Sequence, residues 1–214
     1  MSTKTISFTQ HIKRLHDQIS EYLDCSDKTE IIEAKLICYF NSGCLSEKLG
    51  DYDSALDYYL EGLKLIPSIE EDFDAYLRQE KNRSECLIDK IERYRHIRYF
   101  LLNNAGFCFN KLKKCKEGEE YCKLAIKFNP NRANAHKNLG ISLEGQGRFV
   151  AAARSYINST MACPKDTRAI MHLENLVKKF PELLNASAFK EDIQKCKSVT
   201  ENFRNDKLIR IKEK

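Results

Sequence analysis

The chain has 214 residues, 42% hydrophobic and 31% charged, which gives enough apolar side chains for a core under a solvated surface. Thirty-six basic residues against 31 acidic ones leave a net charge of +5, with the two signs interspersed, and this excludes a nucleic-acid polyelectrolyte. No segment approaches the roughly 20 apolar residues of a membrane span, and MSTKTISFTQHIKRLHDQ is broken by charge too often to serve as a signal peptide.

The first predicted element lies in a helical cap over residues 1–35, where Phe8, Ile12, Leu15, Ile19 and Tyr22 recur at helical spacing. Asp27 with Glu30 predicts a capping box that opens the next helix. From Leu36 the chain runs LICYFNSGCLSEKLGDYDSALDYYLEGLKLIP, a helix, a short turn and a second helix closed by Pro67. An insert over residues 70–98 follows. Ser68 and Glu71 predict a helix start, and QEKNRS at 79–84 predicts a break. Leu87, Ile91, Tyr94 and Leu101 then keep helical spacing, so the following helix is expected to be lengthened at its front. Near the end, Ile170, Leu173 and Val177 share one stripe of a helix that stops before Pro181. A charged helix from about Ser187 carries Phe189, Ile193, Cys196 and Phe203.

Between these ends the chain repeats itself. Gly106 and Gly140 lie 34 residues apart, and at that offset Gly118 falls on Ala152, Cys122 on Tyr156, Ala125 on Ser159 and Pro130 on Pro164. Gly43, Ala55, Tyr59, Gly62 and Pro67 take the same places in the first copy. Glycine inside a helix costs about 1 kcal/mol. Three glycines at one register therefore imply a close approach of two helices, with Ala55, Gly118 and Ala152 as the matching small patch and Tyr59 and Tyr156 filling the space between.

This pattern resembles the tetratricopeptide repeat, a helix–turn–helix unit of 34 residues. The resemblance covers residues 36–69, 99–132 and 133–166, and it implies an all-α, right-handed α-solenoid with N-terminal and C-terminal capping helices. Residues 167–214 form the C-terminal cap, because Glu174 stands where a further repeat would need glycine. Tyr39, Leu102 and His136 replace the family's usual tryptophan, and lysines precede Cys115 where the other copies have Gly50 and Gly147. The long insert resembles immunophilin-type tetratricopeptide domains, which carry extra sequence between their first two repeats.

Nine cysteines raise the question of zinc, but no Cys-x-x-Cys and no Cys/His cluster with ligand spacing occurs. Cys108, Cys115 and Cys122 recur every seven residues and read as core thiols, while the five histidines are scattered. The odd cysteine number and apolar cysteine positions point to a reducing cytoplasm. No nucleophile elbow or phosphate loop is present, since GQG at Gly145–Gly147 is a turn between helices. The expectation is therefore no enzyme, no cofactor and no metal. RNA-reading helical repeats need a basic groove, and Glu47, Glu144 and Glu174 argue against one.

In the resembled family the first helices line a concave face. By register this face holds Phe40, Asn41 and Cys44, then Asn103, Asn104, Phe107, Asn110 and Lys111. Asn134, Lys137, Asn138 and Ile141 follow, with Arg168, His172 and Lys179 on the sealing helix. An asparagine amide offers a donor and an acceptor to an extended peptide backbone. The alternative is that Asn41, Asn104 and Asn138 belong to the repeat's average sequence and bind nothing. Relatives that clamp the terminal carboxylate of heat-shock chaperones use two lysines, an arginine and two asparagines, where this chain has Phe40, Cys44, Asn104, Asn134 and Asn138. Only Asn104 matches, so a chaperone-tail adaptor is not expected. Lys111, Lys137, Arg168, His172 and Lys179 fall toward one end of the expected groove and Glu47 at the other. The expected function is a non-catalytic module that holds a protein or peptide segment with an acidic stretch, and binds neither nucleic acid nor membrane. An assembly or secretion chaperone for one client is the alternative.

Overall fold

In a computed structural model of the protein the backbone is described over residues 3–28, 32–66, 85–185 and 187–212. Its regular elements among those residues are all helices: α1 (Thr3–Lys28), α2 (Ile32–Leu49), α3 (Tyr52–Lys64), α4 (Glu85–Lys111), α5 (Cys115–Phe128), α6 (Ala133–Gly145), α7 (Phe149–Ala162), α8 (Arg168–Lys179) and α9 (Ser187–Lys212), with a 3-10 turn at Pro181–Asn185. They group into two compact units, Met1–Leu112 and Lys113–Lys214.

In the first unit α1 lays Leu15 and Ile19 against Leu45, with Tyr22, Leu49 and Tyr58 packed alongside. Asp27 sits in the last turn of α1 and so does not open α2, while Glu30 lies outside the described residues. Helices α2 and α3 form a hairpin. Gly50 turns the chain at φ +80°, and Asp51 caps α3 by accepting the Ser54 amide at 3.1 Å. A Cβ on Gly43 would stand 2.5 Å from Cε1 of Tyr59, so the ring occupies the place that any larger residue would claim. Helix α4 packs on α3 next, with Leu101 over Gly62. It runs without a break from Glu85 past Tyr99, which agrees with a first helix lengthened at its front. The expected start at Ser68 and break at 79–84 lie outside the described residues.

The second unit repeats the hairpin in α6 and α7, where a Cβ on Gly140 would stand 2.4 Å from the Tyr156 ring and Gly147 turns at φ +74°. Leu143, Ala152 and Tyr156 join Ile170, Leu173 and Leu176 of α8 in one core, which Phe189, Ile193 and Cys196 of α9 close. Each large side chain buried there contributes about 1.5–3 kcal/mol. The stripe on α9 ends earlier than the sequence suggested, because Phe203 is 50% exposed. Glu119, buried on α5, ties that helix to the turn after α6: Arg148 Nη1 donates to both its oxygens at 2.7 Å and Gln146 Nε2 donates at 2.8 Å. Lys123 adds an ion pair at 2.7 Å.

The turn before Cys115 solves the same problem as Gly50 and Gly147 with the wrong residue. Lys113 stands there at φ 62°, in the left-handed region where a Cβ crowds the following carbonyl.

Three outcomes follow from this packing. Gly140→Ala should lower stability by about 1–3 kcal/mol through overpacking against Tyr156, and Gly140→Leu by more, read as a fall in the midpoint of chemical unfolding. Lys113→Gly should raise stability by up to about 1 kcal/mol, the cost of the left-handed backbone less glycine's extra freedom in the unfolded chain. Burial alone would raise Glu119, but hydrogen bonds from Lys123, Gln146 and Arg148 outweigh it and hold its carboxyl at about 2. An unfolded glutamate titrates near about 4.3, so this contribution is full above that pH and is lost as pH falls toward 2. Glu119→Gln should flatten the loss of stability over that acid range, measured as urea midpoints against pH.

Candidate functional site

In the first unit the candidates Phe40, Asn41 and Cys44 share a stripe of α2 with Glu47, and the candidates Asn104, Phe107 and Lys111 share a stripe of α4 with Phe100. One-turn spacing puts each set on one side of its helix. Phe40 and Phe100 meet with ring centroids 6.1 Å apart. Below them the Tyr59 hydroxyl reaches up from α3, donates to Glu47 Oε1 at 2.6 Å and accepts from Asn104 Nδ2 at 3.2 Å. Asn103 is buried and donates to Asn104 Oδ1 at 3.0 Å, which makes it a support for Asn104 rather than a residue a ligand could touch. Asn104 keeps a second lone pair on Oδ1, and its second amide hydrogen meets only the Cys44 thiol at 4.0 Å. Phe107 packs edge-on to Tyr52, and the exposed Lys111 ammonium lies over both rings at 5.4 and 5.6 Å. Asn41 is partly buried on the same helix as Phe40.

Asn110, placed on this face by register, is buried on α4, and the second unit gathers the other candidates on α6 and α8. Arg168 donates to Asn134 Oδ1 at 3.1 Å and is clamped by Asp166, whose Oδ2 lies 2.6 Å from Nη2. Hydrogen bonds from Arg168 hold the Asp166 carboxyl at about 2. Half of the Arg168 charge reading must therefore be revised, since its guanidinium already has an acidic partner. Lys137 is partly buried, and desolvation together with the nearby Arg168 charge lowers its pKa. His172 stacks on Tyr156 with centroids 5.2 Å apart, and burial lowers its pKa as well. Ile141 packs against the core. Asn138 is only 2% exposed, so the register placed it on the inner face but packing sealed it inside.

Two residues that sequence reasoning set aside are central to this geometry. Glu47 and Glu144 each accept a tyrosine hydroxyl, Glu144 from Tyr156 at 2.7 Å. Both stand four residues after a repeat glycine, a recurrence that was available in the sequence. His136, where the family has tryptophan, binds the Pro130 carbonyl through Nε2 at 2.7 Å. Cys108, Cys122 and Cys196 are buried, and desolvation pushes the Cys122 thiol up to about 12 and Cys196 to about 11, which makes them poor nucleophiles. Among the described residues no group of three or more His, Cys, Asp or Glu side chains could hold a metal ion. No helix among them is long and apolar enough to cross a membrane.

Helical hairpins locked by a tyrosine on a glycine, with polar side chains along the first helices, define an all-helical repeat protein. Residues 37–69 match the family model described as tetratricopeptide repeat. The protein is similar to the Photosystem I assembly protein Ycf3 of Prochlorococcus marinus subsp. pastoris, 28% identical over 133 residues, or 62% of this chain. It spans 60% of that relative's length. Its fold is similar to a MamA RS-1 double mutant with a TM-score of 0.58 at 14% identity, covering 94% of this chain and 99% of the other. The first tetratricopeptide domain of human RPAP3 gives 0.52 at 18% identity, covering 71% and 96%. The chain is a tetratricopeptide-repeat protein with an all-α repeat fold, and such repeats make a scaffold for contacts with other proteins.

Proposed function

We propose that the protein is a non-catalytic scaffold that holds an extended segment of a partner protein along the inner faces of its first helices, within repeats at 36–69, 99–132 and 133–166. The observation that carries this reading is Asn104. Its amide is fixed from both sides by Asn103 and Tyr59 yet keeps bonding capacity for a peptide backbone. The partly buried Lys137 supports an acidic stretch in the partner segment, because a desolvated ammonium gains most from an incoming carboxylate. Free thiols at all eight described cysteines fit work in a reducing cytoplasm. A second reading, an assembly chaperone for one client, is favoured by the likeness to a protein named for photosystem assembly. Under it, co-expression with the client yields a stable complex of fixed stoichiometry.

Capture of a partner by the purified chain, followed by titration, is the test. Asn104→Ala should weaken Kd about fivefold, the loss of one hydrogen bond of about 1 kcal/mol. Binding should weaken modestly from low to physiological salt, and Lys137→Glu should flatten that dependence. Asn138→Ala should reduce stability and leave binding unchanged, as its burial requires. A partner whose affinity ignores both Asn104→Ala and Lys137→Glu would overturn the inner-face assignment.

A further inference from the structure

The first unit encloses a carboxylate that no cation among the described residues pairs with. Glu47 stands partly buried on α2, and both of its hydrogen bonds end on Oε1, from the Tyr59 hydroxyl at 2.6 Å and the Cys108 thiol at 4.0 Å. Oε2 is left for another donor. Among the described residues no lysine, arginine or histidine pairs with it, and the Lys111 ammonium lies over Tyr52 and Phe107 instead. Burial raises the Glu47 carboxyl above its ordinary range, with only the Tyr59 hydrogen bond acting against it.

The second unit repeats this motif with an ionisable base beside it. There the Tyr156–Glu144 pair recurs, and the His172 imidazole stacks on the tyrosine ring within reach of the Glu144 charge, although burial holds its pKa below the ordinary value. His172 occupies the register that Asn104 holds in the first unit. Asparagine carries no charge, so at this register the first unit has the carboxylate and the tyrosine with an amide where the second has a base. Aromatic rings stand on the same two helices: Phe40 lies 6.3 Å from Tyr59, and Phe107 is one turn beyond Asn104 on α4. A carboxylate beside aromatic faces suits a guanidinium, which bonds the oxygen in its plane and rests its flat face on a ring.

We propose that the inner face of the first unit receives an arginine side chain of the partner segment, its guanidinium on Glu47 Oε2 and its stem against Phe40 and Phe107. This rests on the scaffold reading and adds to it a basic residue, distinct from the acidic stretch assigned to Lys137.

The test uses the full chain, isotope-labelled for NMR, and three capped pentapeptides, acetyl-Gly-Leu-Xaa-Leu-Gly-amide, with arginine, citrulline or glutamate at Xaa. Citrulline keeps arginine's shape without its charge. The arginine peptide at millimolar concentration should shift the Glu47 carboxyl and Asn104 side-chain signals saturably, with citrulline and glutamate about tenfold weaker. Glu47→Gln keeps an oxygen for the Tyr59 hydroxyl, should leave the melting temperature unchanged or higher, and should reduce the arginine peptide to the level of citrulline. The proposal is overturned if those signals do not move, if citrulline binds as well as arginine, or if Glu47→Gln changes nothing. A captured partner that weakens with Asn104→Ala but ignores Glu47→Gln would sink this proposal and leave the scaffold reading standing. Saturable arginine binding at Glu47 in a chain that captures no protein would support the cation site and sink the scaffold reading instead.

Discussion

The ring of Tyr59 lies where a side chain on Gly43 would have to stand, and Tyr156 treats Gly140 in the same way. These contacts set how closely the two helices of each hairpin approach, and the other features of the hairpin follow from that separation. The glycines weaken their own helices by about 1 kcal/mol each, while a fully buried tyrosine ring returns more than that. Because the exchange is favourable only if ring and glycine meet, it selects one register and one spacing for the hairpin. The small residues Ala55 and Ala152, both fully buried, extend the same close approach along the second helices.

The same rings also carry chemistry to the inner face. A tyrosine buried on a glycine has its hydroxyl at the far end of a rigid lever, and each of these hydroxyls finds a glutamate twelve residues earlier. The packing contact and the polar site are thus two ends of one side chain. In the first unit that hydroxyl also orients Asn104, so a change in hairpin spacing would move the amide expected to meet a ligand. The middle copy has Cys122 in the tyrosine's place and Asn110 in the glutamate's, and it lacks this device.

Charge is distributed with restraint. Arg168 is tied to Asp166 and Asn134, and Lys111 rests on aromatic rings, so much of the cationic character counted along the chain is already engaged. Exposed pairs of this kind contribute only about 0–1 kcal/mol each. Glu47 and Lys137 are partly buried, and desolvation makes each gain more from an opposite charge than an exposed group does.

By itself the sequence determined what depends on spacing: three copies of one pattern, the glycines that must meet tyrosines, the prolines that end the hairpins, and the helix carrying Ile170 and Leu173 into the core. Those are local rules of helical period and residue size, and they need no knowledge of neighbours. The sequence also named Asn104, Lys137 and Arg168 by register. Only tertiary structure decided their state, because register gives the direction of a side chain but not what already occupies the space it enters. Asn138 and Asn103 share the inner-face register with Asn104 yet are buried, and Arg168 meets an aspartate two residues away that the register does not place. Lys113 could be seen to replace a glycine, but that it accepts the left-handed backbone, at φ 62°, rather than reshaping the turn is a fact only the backbone geometry supplies.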